Sequence, residues 1–422
     1  MSITVFDGEQ NSVIGRRGTT MVRLCVVAGA RPNFMKVAPL IKELQYNAEA
    51  QAFLVHTGQH YDYNMSKQFF DDLEIPEPDV FLGVGSGTHA QQTAKIMTAF
   101  EKTLLEAKPD VVIVVGDVNS TIACALTAVK LNIKVAHIEA GLRSFDRTMP
   151  EEVNRLLTDA ISDFLFVTEE SAVVNLIKEG VANDKIYFVG NLMIDTLLKY
   201  KEKAERTDVL KRLGLAEKEM EAVGAKINGR LPSAHLDRDI VSYGVLTLHR
   251  PSNVDEKSSF IEIMGALREI AQHLPIVFPC HPRTMNRIEE FGIVKDFVPR
   301  TNGSYTEIGE DGIYLIDPLG YLEFLHLMSK AKLVLTDSGG VQEETTILGV
   351  PCITIRDNTE RPITVKCGTN RVVGTKKAAI LSESLSAIYD SNRIAVAPPL
   401  WDGKAAARTV NILLKAFNAV VA

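Results

Sequence analysis

The sequence predicts an α/β protein with two doubly wound domains, and three observations lead to this fold class. First, short runs of β-branched and other apolar residues alternate with amphipathic helical patterns from residue 22 onward. Second, the strand runs are apolar throughout, which is typical of a parallel sheet covered by helices on both faces. Third, the alternation occurs twice, before and after a charged and polar stretch that ends near residue 242. A chain of 422 residues also favours two domains over one.

The strand candidates fall into two series. Those of the first series are VRLCVVAGA, QAFLVHTG, DVFLGVG, DVVIVVGD, IKVAHIEA, DFLFVT and KIYFVGN, and those of the second are YGVLTLH, PIVFPCH, GIYLIDP, KLVLTDS and PCITIRD. Helical patterns such as HAQQTAKIMTAFEKTLLEAKP and STIACALTAVKLN lie between them. We therefore divide the chain into a poorly ordered extension (1–20), an N-terminal Rossmann-like domain (21–192), a C-terminal Rossmann-like domain (193–400) and a closing helix (401–422).

The composition disfavours several classes of partner and location. The chain carries 53 acidic and 46 basic residues, and a net charge of −7 disfavours nucleic acid or an anionic membrane as the main partner. The five cysteines form no CxxC pair, which indicates a reducing compartment rather than a disulfide framework. No apolar run approaches the ~20 residues of a membrane span, and residues 1–20 lack the apolar region of a signal peptide. We therefore expect a cytoplasmic protein.

Polar and charged residues gather where the predicted strands end. In open parallel sheets, ligands bind beyond the carboxyl ends of the strands, and two such sheets that face each other form a cleft. The strand ends that we expect to line this cleft are AGARP, VGDVNS, HIEAGLR, LHRPSN, PCHPRT, TDSGG and RDNTERP.

Three carboxylates stand out in the first domain. Asp117 lies in VGDVNS, Glu139 in HIEAGL and Glu151 in PEEVNR. Adjacent strand ends bring such groups together, and mutual repulsion with partial burial spreads their proton affinities, as an acid–base pair requires. Arg143 and Arg155 are the candidate counter-ions. The alternative interpretation is a salt-bridge network with a purely structural role.

A second group of residues suits an anion. In TDSGG, residues 336–340, small residues precede the predicted helix VQEETTILG, and the unpaired amides at a helix start bind phosphate with help from the helix dipole. Glu344, about one turn into this helix, is placed to accept hydrogen bonds from a ribose, whereas an ordinary tight turn capped by Ser338 is the alternative. Arg31 and Lys36 follow the first strand and suit a phosphate, although each cation alone is more typical of a solvated surface.

The sequence carries no fingerprint of a cofactor. AGARPNFMK and GVGSGT lack the GxGxxG spacing, and no GxxxxGK[ST] motif occurs. The nine histidines and five cysteines form no cluster with zinc-ligand spacing. We therefore expect neither a cofactor nor a metal. His249 and His281 each end a strand of the second series, which favours anion contact or proton transfer.

Taken together, the motifs resemble those of the non-hydrolysing UDP-N-acetylglucosamine 2-epimerases. The segments that carry the resemblance are GARPNFMKVAPL, VGDVNST, HIEAGLRS, MPEEVNR, LHRPSN, LTDSGGVQEE and RDNTERP. They follow the family's order from about residue 22 to the end of the chain. The resemblance implies a glycosyltransferase-B-like pair of domains with a UDP-sugar between them. It also implies a homodimer and a last helix that crosses back to the first domain.

The same resemblance implies roles for individual residues. It implies catalytic roles for Asp117, Glu139, Glu151 and His249. The residues that it places on the substrate are Arg31, Lys36, Arg143, Arg155, His281, Phe324, Ser338, Gly339, Gly340, Glu344 and Arg361.

The reaction that the resemblance implies is the reversible C2 epimerisation of UDP-N-acetylglucosamine to UDP-N-acetylmannosamine. The C2 hydrogen is not next to a carbonyl, so the family eliminates UDP to give a 2-acetamidoglucal and then adds UDP back. One alternative is a 2-epimerase of a modified UDP-sugar such as a 2,3-diacetamido uronate, because Ala30, Asn33, Pro251 and Ser252 depart from the family's pattern. A hydrolysing 2-epimerase, a retaining UDP-sugar glycosyltransferase and a non-enzymatic nucleotide-sugar sensor are the others.

Overall fold

The protein's structure is a computed structural model that describes residues 21–59, 70–216, 241–298, 307–309, 311–389 and 395–421. The predicted N-terminal extension, residues 1–20, lies outside the described residues. So do residues 217–240 of the polar stretch that separates the two series of strands.

The first sheet contains seven parallel strands, all seven of which the sequence predicts. They are β1 (Val22–Ala28), β2 (Ala50–His56), β3 (Val80–Phe81), β4 (Val111–Val115), β5 (Lys134–Ile138), β6 (Phe164–Val167) and β7 (Ile186–Phe188). Their order is β3-β2-β1-β4-β5-β6-β7, and each neighbouring pair is parallel. The order reverses between β1 and β4, which is the switch point where open α/β sheets bind their ligands.

The second sheet repeats this design with six parallel strands. They are β8 (Gly244–Thr247), β9 (Ile276–Pro279), β10 (Ile313–Ile316), β11 (Leu333–Thr336), β12 (Cys352–Thr354) and β13 (Asn370–Val372), in the order β10-β9-β8-β11-β12-β13. The sequence predicts five of these strands and misses β13. That strand has only three residues, and Asn370 and Arg371 give it no apolar run.

Helices connect the strands of both sheets. Those of the first half are α1 (Arg31–Gln45), α2 (His89–Ala107), α3 (Asn119–Lys130), α4 (Pro150–Ile161), α5 (Glu170–Lys178), α6 (Leu192–Ala204) and α7 (Val209–Arg212). Those of the second half are α8 (Pro251–Val254), α9 (Lys257–Ile270), α10 (Pro282–Glu290), α11 (Tyr321–Ser329), α12 (Gly339–Leu348), α13 (Pro362–Lys366), α14 (Lys377–Tyr389) and α15 (Ala405–Val421). The predicted fold class, with two doubly wound parallel sheets, is confirmed.

Both faces of the first sheet are buried, as its apolar strands require. Along β4, Val111, Ile113 and Val115 belong to one hydrophobic cluster, whereas Val112 and Val114 belong to another. Successive side chains of a strand point to opposite faces of the sheet. The alternation therefore places helices over both faces, and only the strand ends and loops remain free to bind a ligand.

Proline starts several helices at the sheet edges. It occupies one of the first two positions of α4, α8, α10 and α13. Proline suits this position because it has no N–H to leave unpaired, and it keeps the preceding residue out of helical conformation. The residues just before the helix are thereby held at the sheet edge, and they include Arg250, His281 and Arg361.

The chain crosses between the two sheets twice, and the crossings touch each other. The first crossing passes Gly190 and the second passes Leu400; a Cβ on Gly190 would lie 2.0 Å from the Leu400 carbonyl oxygen. Arg408 Nη1 donates to the carbonyls of both Val189 (2.8 Å) and Leu400 (3.3 Å). Asp195 in α6 accepts hydrogen bonds from the first backbone amides of α15, at Ala405 and Ala406.

Helix α15 makes its contacts with the first half of the chain. Phe417 packs against Phe164 of β6 with ring centroids 6.1 Å apart, and Asn418 donates to Glu49 (3.0 Å). On these contacts we propose that α15 belongs with the first domain. The predicted domain boundary near residue 193 stays a prediction. Among the described residues, no helix combines the length and apolar character that crossing a membrane requires.

Candidate active site

Asp117 and Glu139 lie at adjacent strand ends, as the sequence predicts. Val115, the last residue of β4, pairs with Ile138, the last residue of β5. Gly116 and Glu139 follow these strands, and both have φ near +70°. This conformation is uncommon for a residue with a side chain and clusters at functional sites. A Cβ on Gly116 would lie 3.4 Å from Glu139 Oε2, so the glycine also leaves room for the carboxylate.

The Glu139 carboxylate is buried between two cations. Its side chain is only 4% exposed, and Oε2 forms an ion pair with Lys36 Nζ. Arg361 Nη2, from the second half of the chain, lies 3.6 Å from Oε1. Within the described part of the chain, no group donates a hydrogen bond to this Oε1. The carboxylate is therefore held in place by charge while one oxygen keeps its lone pairs free.

Asp117 is the more open of the two carboxylates. It forms an ion pair with Arg155 of α4, and 29% of its side chain is exposed. Arg155 is itself buried and also donates to Glu152 through Nε (3.0 Å) and Nη2 (2.7 Å). Burial opposes the charge of Arg155, yet Asp117 and the nearby glutamates raise its pKa, so it stays a cation. We call the two carboxylates Asp117 and Glu139, together with the cations Lys36, Arg155 and Arg361 that pair with them, the acidic pocket.

The two glutamates at the start of α4 have different environments. Glu152 is buried and accepts hydrogen bonds from the backbone amides of Ser144 and Phe145, both at 2.9 Å, as well as from Arg155. It fixes the loop that leads from β5 into α4. Glu151, the predicted catalytic residue, is half-buried on the first turn, one turn before Arg155. Glu151 is thus the more exposed member of the pair.

Arg143 lies in a separate, buried ion-pair network. It donates to both carboxylate oxygens of Glu179, at 2.8 and 2.6 Å, and lies 2.7 Å from Asp159 Oδ2. Asp159 also lies 2.6 Å from His137. With 1% of its side chain exposed, Arg143 is not brought to the acidic pocket. We therefore interpret it as part of the scaffold, unlike Arg155.

Helix α12 begins shortly after β11, with only Asp337 and Ser338 between the two elements. Its N-cap residue, Ser338, makes no side-chain cap hydrogen bond. A Cβ on Gly339 would lie 2.7 Å from Glu360 Oε1, and one on Gly340 would lie 2.9 Å from Met193 Cε. Close packing therefore requires glycine at position 339, whereas at position 340 the neighbour is the flexible end of Met193. The first amides of α12 have no side-chain cap, which suits an anion.

Glu344 lies one turn further into α12 and is buried. Tyr321 donates a hydrogen bond to it from its hydroxyl group (3.1 Å). Burial raises the pKa of Glu344 to about 8. Phe324, one turn after Tyr321 in α11, is half-buried. Glu344 and Phe324, both predicted to contact the substrate, thus lie on two helices that contact each other.

His249 is oriented by an aspartate that sequence reasoning missed. Its Nδ1 lies 2.9 Å from Asp337 Oδ1, and 53% of its side chain is exposed. Asp337 is buried and also accepts from the backbone amides of His249 (3.0 Å) and Arg250 (2.9 Å). Burial opposes its charge, but His249 and these amides hold the pKa of Asp337 below its usual value. With Nδ1 engaged, Nε2 is the ring nitrogen that His249 presents to the cleft.

Arg361 is the centre of a buried group of carboxylates. Its Nε lies 2.7 Å from Glu343 Oε1, and its Nη1 lies 3.3 Å from Glu360 Oε1. Burial raises the pKa of Glu343, while Arg361 and Arg356 overcome burial and hold the pKa of Glu360 far below its usual value. Arg361 therefore links the second half of the chain to Glu139 in the first.

Glu169, which follows β6, also reaches across to the second half. It accepts a hydrogen bond from the backbone amide of Ile363, at the start of α13, and burial raises its pKa to about 7. Sequence reasoning missed Glu169, Glu343 and Glu360. The only sequence signal is their position: each stands in or next to a strand-end motif, in FVTEE, GGVQEE and DNTERP.

The remaining predicted residues lie at the edges of the site. Arg31 is the first residue of α1, directly after the turn that follows β1. His281 caps α10, where its Nδ1 accepts from the backbone amide of Arg283 (3.3 Å), and it is exposed. In the described part of the chain, no group of three or more His, Cys, Asp or Glu side chains has the geometry to hold a metal ion.

The fold and this cleft define the protein as an α/β enzyme with two Rossmann-like domains. The family model described as UDP-N-acetylglucosamine 2-epimerase matches residues 42–414. The chain therefore belongs to the UDP-N-acetylglucosamine 2-epimerase family, as its motifs predict.

Individual relatives agree with this family. The UDP-N-acetylglucosamine 2-epimerase of Methanocaldococcus jannaschii is 44% identical over 394 residues, which cover 93% of this chain and 99% of the relative. The UDP-2,3-diacetamido-2,3-dideoxy-D-glucuronate 2-epimerase of Pseudomonas aeruginosa is 38% identical over 370 residues, 87% of this chain and 92% of the relative.

Solved structures show the same similarity. The crystal structure of the M. jannaschii UDP-GlcNAc 2-epimerase in complex with UDP-GlcNAc and UDP matches with a TM-score of 0.80 and 42% identity, and the match covers 93% of this chain and 100% of that one. The Neisseria meningitidis enzyme bound to UDP-GlcNAc matches with a TM-score of 0.77 and 30% identity, over 93% and 100% of the two chains.

Proposed function

We propose that this protein interconverts UDP-N-acetylglucosamine and UDP-N-acetylmannosamine by eliminating UDP and adding it back. The observation that carries the proposal is the acidic pocket: a buried Glu139 whose Oε1 accepts no hydrogen bond from the described residues, beside the more open Asp117, next to the switch point of the first sheet. The relatives named for this reaction, and the structures with UDP-GlcNAc bound, support the choice of substrate.

The first half-reaction is an elimination. A carboxylate of the acidic pocket takes the C2 proton, the C–H electron pair forms the C1=C2 double bond, and the C1–O bond breaks as its electron pair leaves with UDP. Proton removal is the task of a positioned base. The departing diphosphate needs positive charge, which we assign to Arg31, Arg361, His249 and the start of α12.

The second half-reaction reverses these events on the other face of C2. A second group of the pocket protonates C2 of the 2-acetamidoglucal, and a phosphate oxygen of UDP forms the new bond to C1. A base and an acid are thus needed on opposite faces of one sugar ring. Asp117, Glu139 and Glu151 are three carboxylates that can share these two tasks.

Deuterium oxide tests the proposal directly. UDP-N-acetylmannosamine formed from UDP-N-acetylglucosamine in this solvent should carry deuterium at C2, without added nicotinamide cofactor or divalent metal. Product that retains its original hydrogen would contradict the elimination. Free N-acetylmannosamine as the main product would indicate a hydrolysing enzyme, and a glycosyltransferase would leave C2 of the recovered donor unchanged.

A modified UDP-sugar is the second candidate substrate. It is favoured by the 38% identity to the P. aeruginosa 2,3-diacetamido-glucuronate enzyme over most of both chains. Comparison of kcat/KM for UDP-N-acetylglucosamine with that for the 2,3-diacetamido uronate decides between the two. A kcat/KM at least ten-fold higher for the uronate would reassign the substrate while leaving the elimination chemistry in place.

We also propose that the protein is a homodimer that associates through helix α4. Val153 and Leu157, one turn apart on α4, are 40% and 51% exposed, and Phe145 in the preceding loop is 78% exposed. Leu157→Glu should convert the dimer to a monomer in analytical ultracentrifugation. Ile261→Glu is the matched control, because Ile261 is similarly exposed (43%) on a helix of the second domain. A dimer that survives Leu157→Glu would contradict this interface.

A further inference from the structure

His137 is a fully buried histidine that the proposed reaction does not use. It lies in β5, two residues before Glu139, and none of its surface is exposed. Its Nε2 lies 2.9 Å from the carbonyl oxygen of Gly116, and its Nδ1 lies 2.6 Å from Asp159 Oδ1. A carbonyl oxygen can only accept a hydrogen bond, so Nε2 donates.

The ring also donates from Nδ1, to the carboxylate of Asp159. Asp159 Oδ2 accepts from the backbone amide of Gly141 (3.0 Å) and pairs with Arg143 (2.7 Å). Asp159 is ionised because it is paired with the Arg143 guanidinium, which does not lose its proton in a protein. An ionised carboxylate only accepts. A neutral imidazole has a single N–H and cannot donate to both partners.

The charges around His137 support the same conclusion. Asp159, Arg143 and Glu179 are the charged groups of this network, and 1% of the Asp159 and Arg143 side chains is exposed. Glu179 is 34% exposed, so water also screens its charge. With a protonated His137, two cations face two carboxylates, and the network as a whole is neutral.

The bonds of this ring hold both strand ends of the acidic pocket. The Gly116 carbonyl immediately precedes Asp117, and Glu139 stands between His137 and Gly141, both of which bind Asp159. Asp159 belongs to α4, the helix that also carries Arg155 and Glu151. One ring therefore connects β4, β5 and α4 at the point where all three present their functional side chains.

We propose that His137 is a positioning residue that carries a proton on both ring nitrogens and locks Asp117 and Glu139 into their reactive arrangement. The part of this inference that concerns activity rests on the proposed function. The part that concerns the ring is independent of it.

The protonation of the ring is measured on the unmodified protein. Long-range ¹H–¹⁵N correlation spectra of ¹⁵N-histidine-labelled protein are recorded at mildly alkaline pH, where an ordinary histidine with a pKa of about 6.5 is neutral. His137 should give two protonated ring nitrogens. His56 and His326 serve as internal references for neutral rings, because burial lowers the pKa of His56 to about 4 and that of His326 as well. A neutral tautomer at His137 would overturn the proposal.

A substitution tests the positioning role. His137→Gln retains a donor at only one end, and its spectrum also assigns the His137 signals by their loss. We expect kcat to fall by about 10- to 100-fold, since small misplacements of catalytic groups cost up to ~10², while UDP affinity stays within about two-fold. His326→Gln is the matched control. His326 is also a buried histidine, but its Nδ1 lies 3.0 Å from the Thr207 hydroxyl and does not contact the acidic pocket.

The two experiments test the protonation of the His137 ring and its positioning role separately. An unchanged kcat in folded His137→Gln would overturn the positioning role. Equal losses of kcat and UDP affinity, with a lowered melting temperature, would indicate a merely structural residue and also contradict it. If His137→Gln does not fold, the ring spectrum of the native protein still decides. If the native protein epimerises no UDP-sugar, the proposed function fails, but the ring spectrum again remains decisive for His137.

Discussion

The environment of Glu139 explains how one residue can combine a fixed position with chemical reactivity. Lys36 and Arg361 approach its two oxygens from different halves of the chain, and its positive φ directs the side chain out of the strand direction. The ion pairs compensate the cost of burying a charge. Asp117 differs because it is part exposed and has a single cation, Arg155. Two carboxylates in unlike surroundings are what an acid–base exchange at one carbon requires.

At this scale we predict the effect of neutralising each carboxylate in turn. Asp117→Asn, Glu139→Gln and Glu151→Gln should each reduce turnover by at least ~100-fold, the low end for acid–base roles. Each change keeps the shape of the side chain, so circular dichroism should be unaltered. Glu170→Gln, an exposed glutamate at the start of α5, is the control. Near-native turnover in all three carboxylate variants would mean that Asp117, Glu139 and Glu151 have a purely structural role.

Glu344 gives a prediction about stability and pH. Burial raises its pKa to about 8 in the folded protein, from an ordinary value of 4.5. Between these values the folded state keeps a proton that the unfolded state releases, so this residue lowers stability as the pH rises from about 4.5 to about 8. The melting temperature of Glu344→Gln, relative to that of the native protein, should therefore rise as the pH increases through this window. At pH 4 the substitution should give no such gain. A difference that stays constant with pH would contradict the assignment.

At the scale of elements, the two parallel sheets place the candidate residues at strand ends or in the loops and helices that follow them. Apolar strands and proline-started helices were predictable because they follow from local pattern. The strand-end motifs carried Asp117, Glu139, Glu151 and His249 for the same reason. Their partners were not predictable: Arg143 and Arg155 lie in similar sequence, yet only Arg155 is turned to Asp117. Which of the two arginines pairs with Asp117 depends on the tertiary positions of α4 and Glu179.

The start of α12 gives a prediction from a matched pair of glycines. Gly339→Ala brings a Cβ to 2.7 Å of Glu360, a buried carboxylate paired with three arginines. We expect a loss of about 1–3 kcal/mol of unfolding free energy, as for overpacking, together with weaker UDP binding. Gly340→Ala meets only the flexible end of Met193 and should cost less than Gly339→Ala in denaturant titrations. The reverse ranking would mean that Glu360 moves more readily than the methionine.

At the scale of the whole molecule, Arg361 and Glu169 connect the two halves at the cleft itself. Arg361 reaches Glu139, and Glu169 accepts from the backbone of α13. Sequence reasoning found Arg361 through the ERP motif but missed its partners Glu343 and Glu360, because a buried ion-pair group is assembled from segments distant in the chain. The short strand β13 was missed because three polar-flanked residues carry no periodic signal.

We predict that Arg361→Gln weakens UDP binding by at least ~10-fold, since a charge-assisted hydrogen bond contributes about 1.5–3 kcal/mol. Arg356→Gln is the matched control: Arg356 pairs with the same Glu360 (2.8 Å) but not with Glu139. Titration calorimetry with UDP compares the two variants. Equal affinities would show that Arg361 serves the scaffold alone.

The contact between the two crossing segments has a mechanical consequence. Gly190 and Leu400 touch so closely that no side chain fits between them, and Arg408 ties both segments together. Because the two segments that join the sheets meet at this one contact, the contact is where one sheet can rotate relative to the other. Any rotation of one sheet against the other about this contact leaves the packing within each sheet intact.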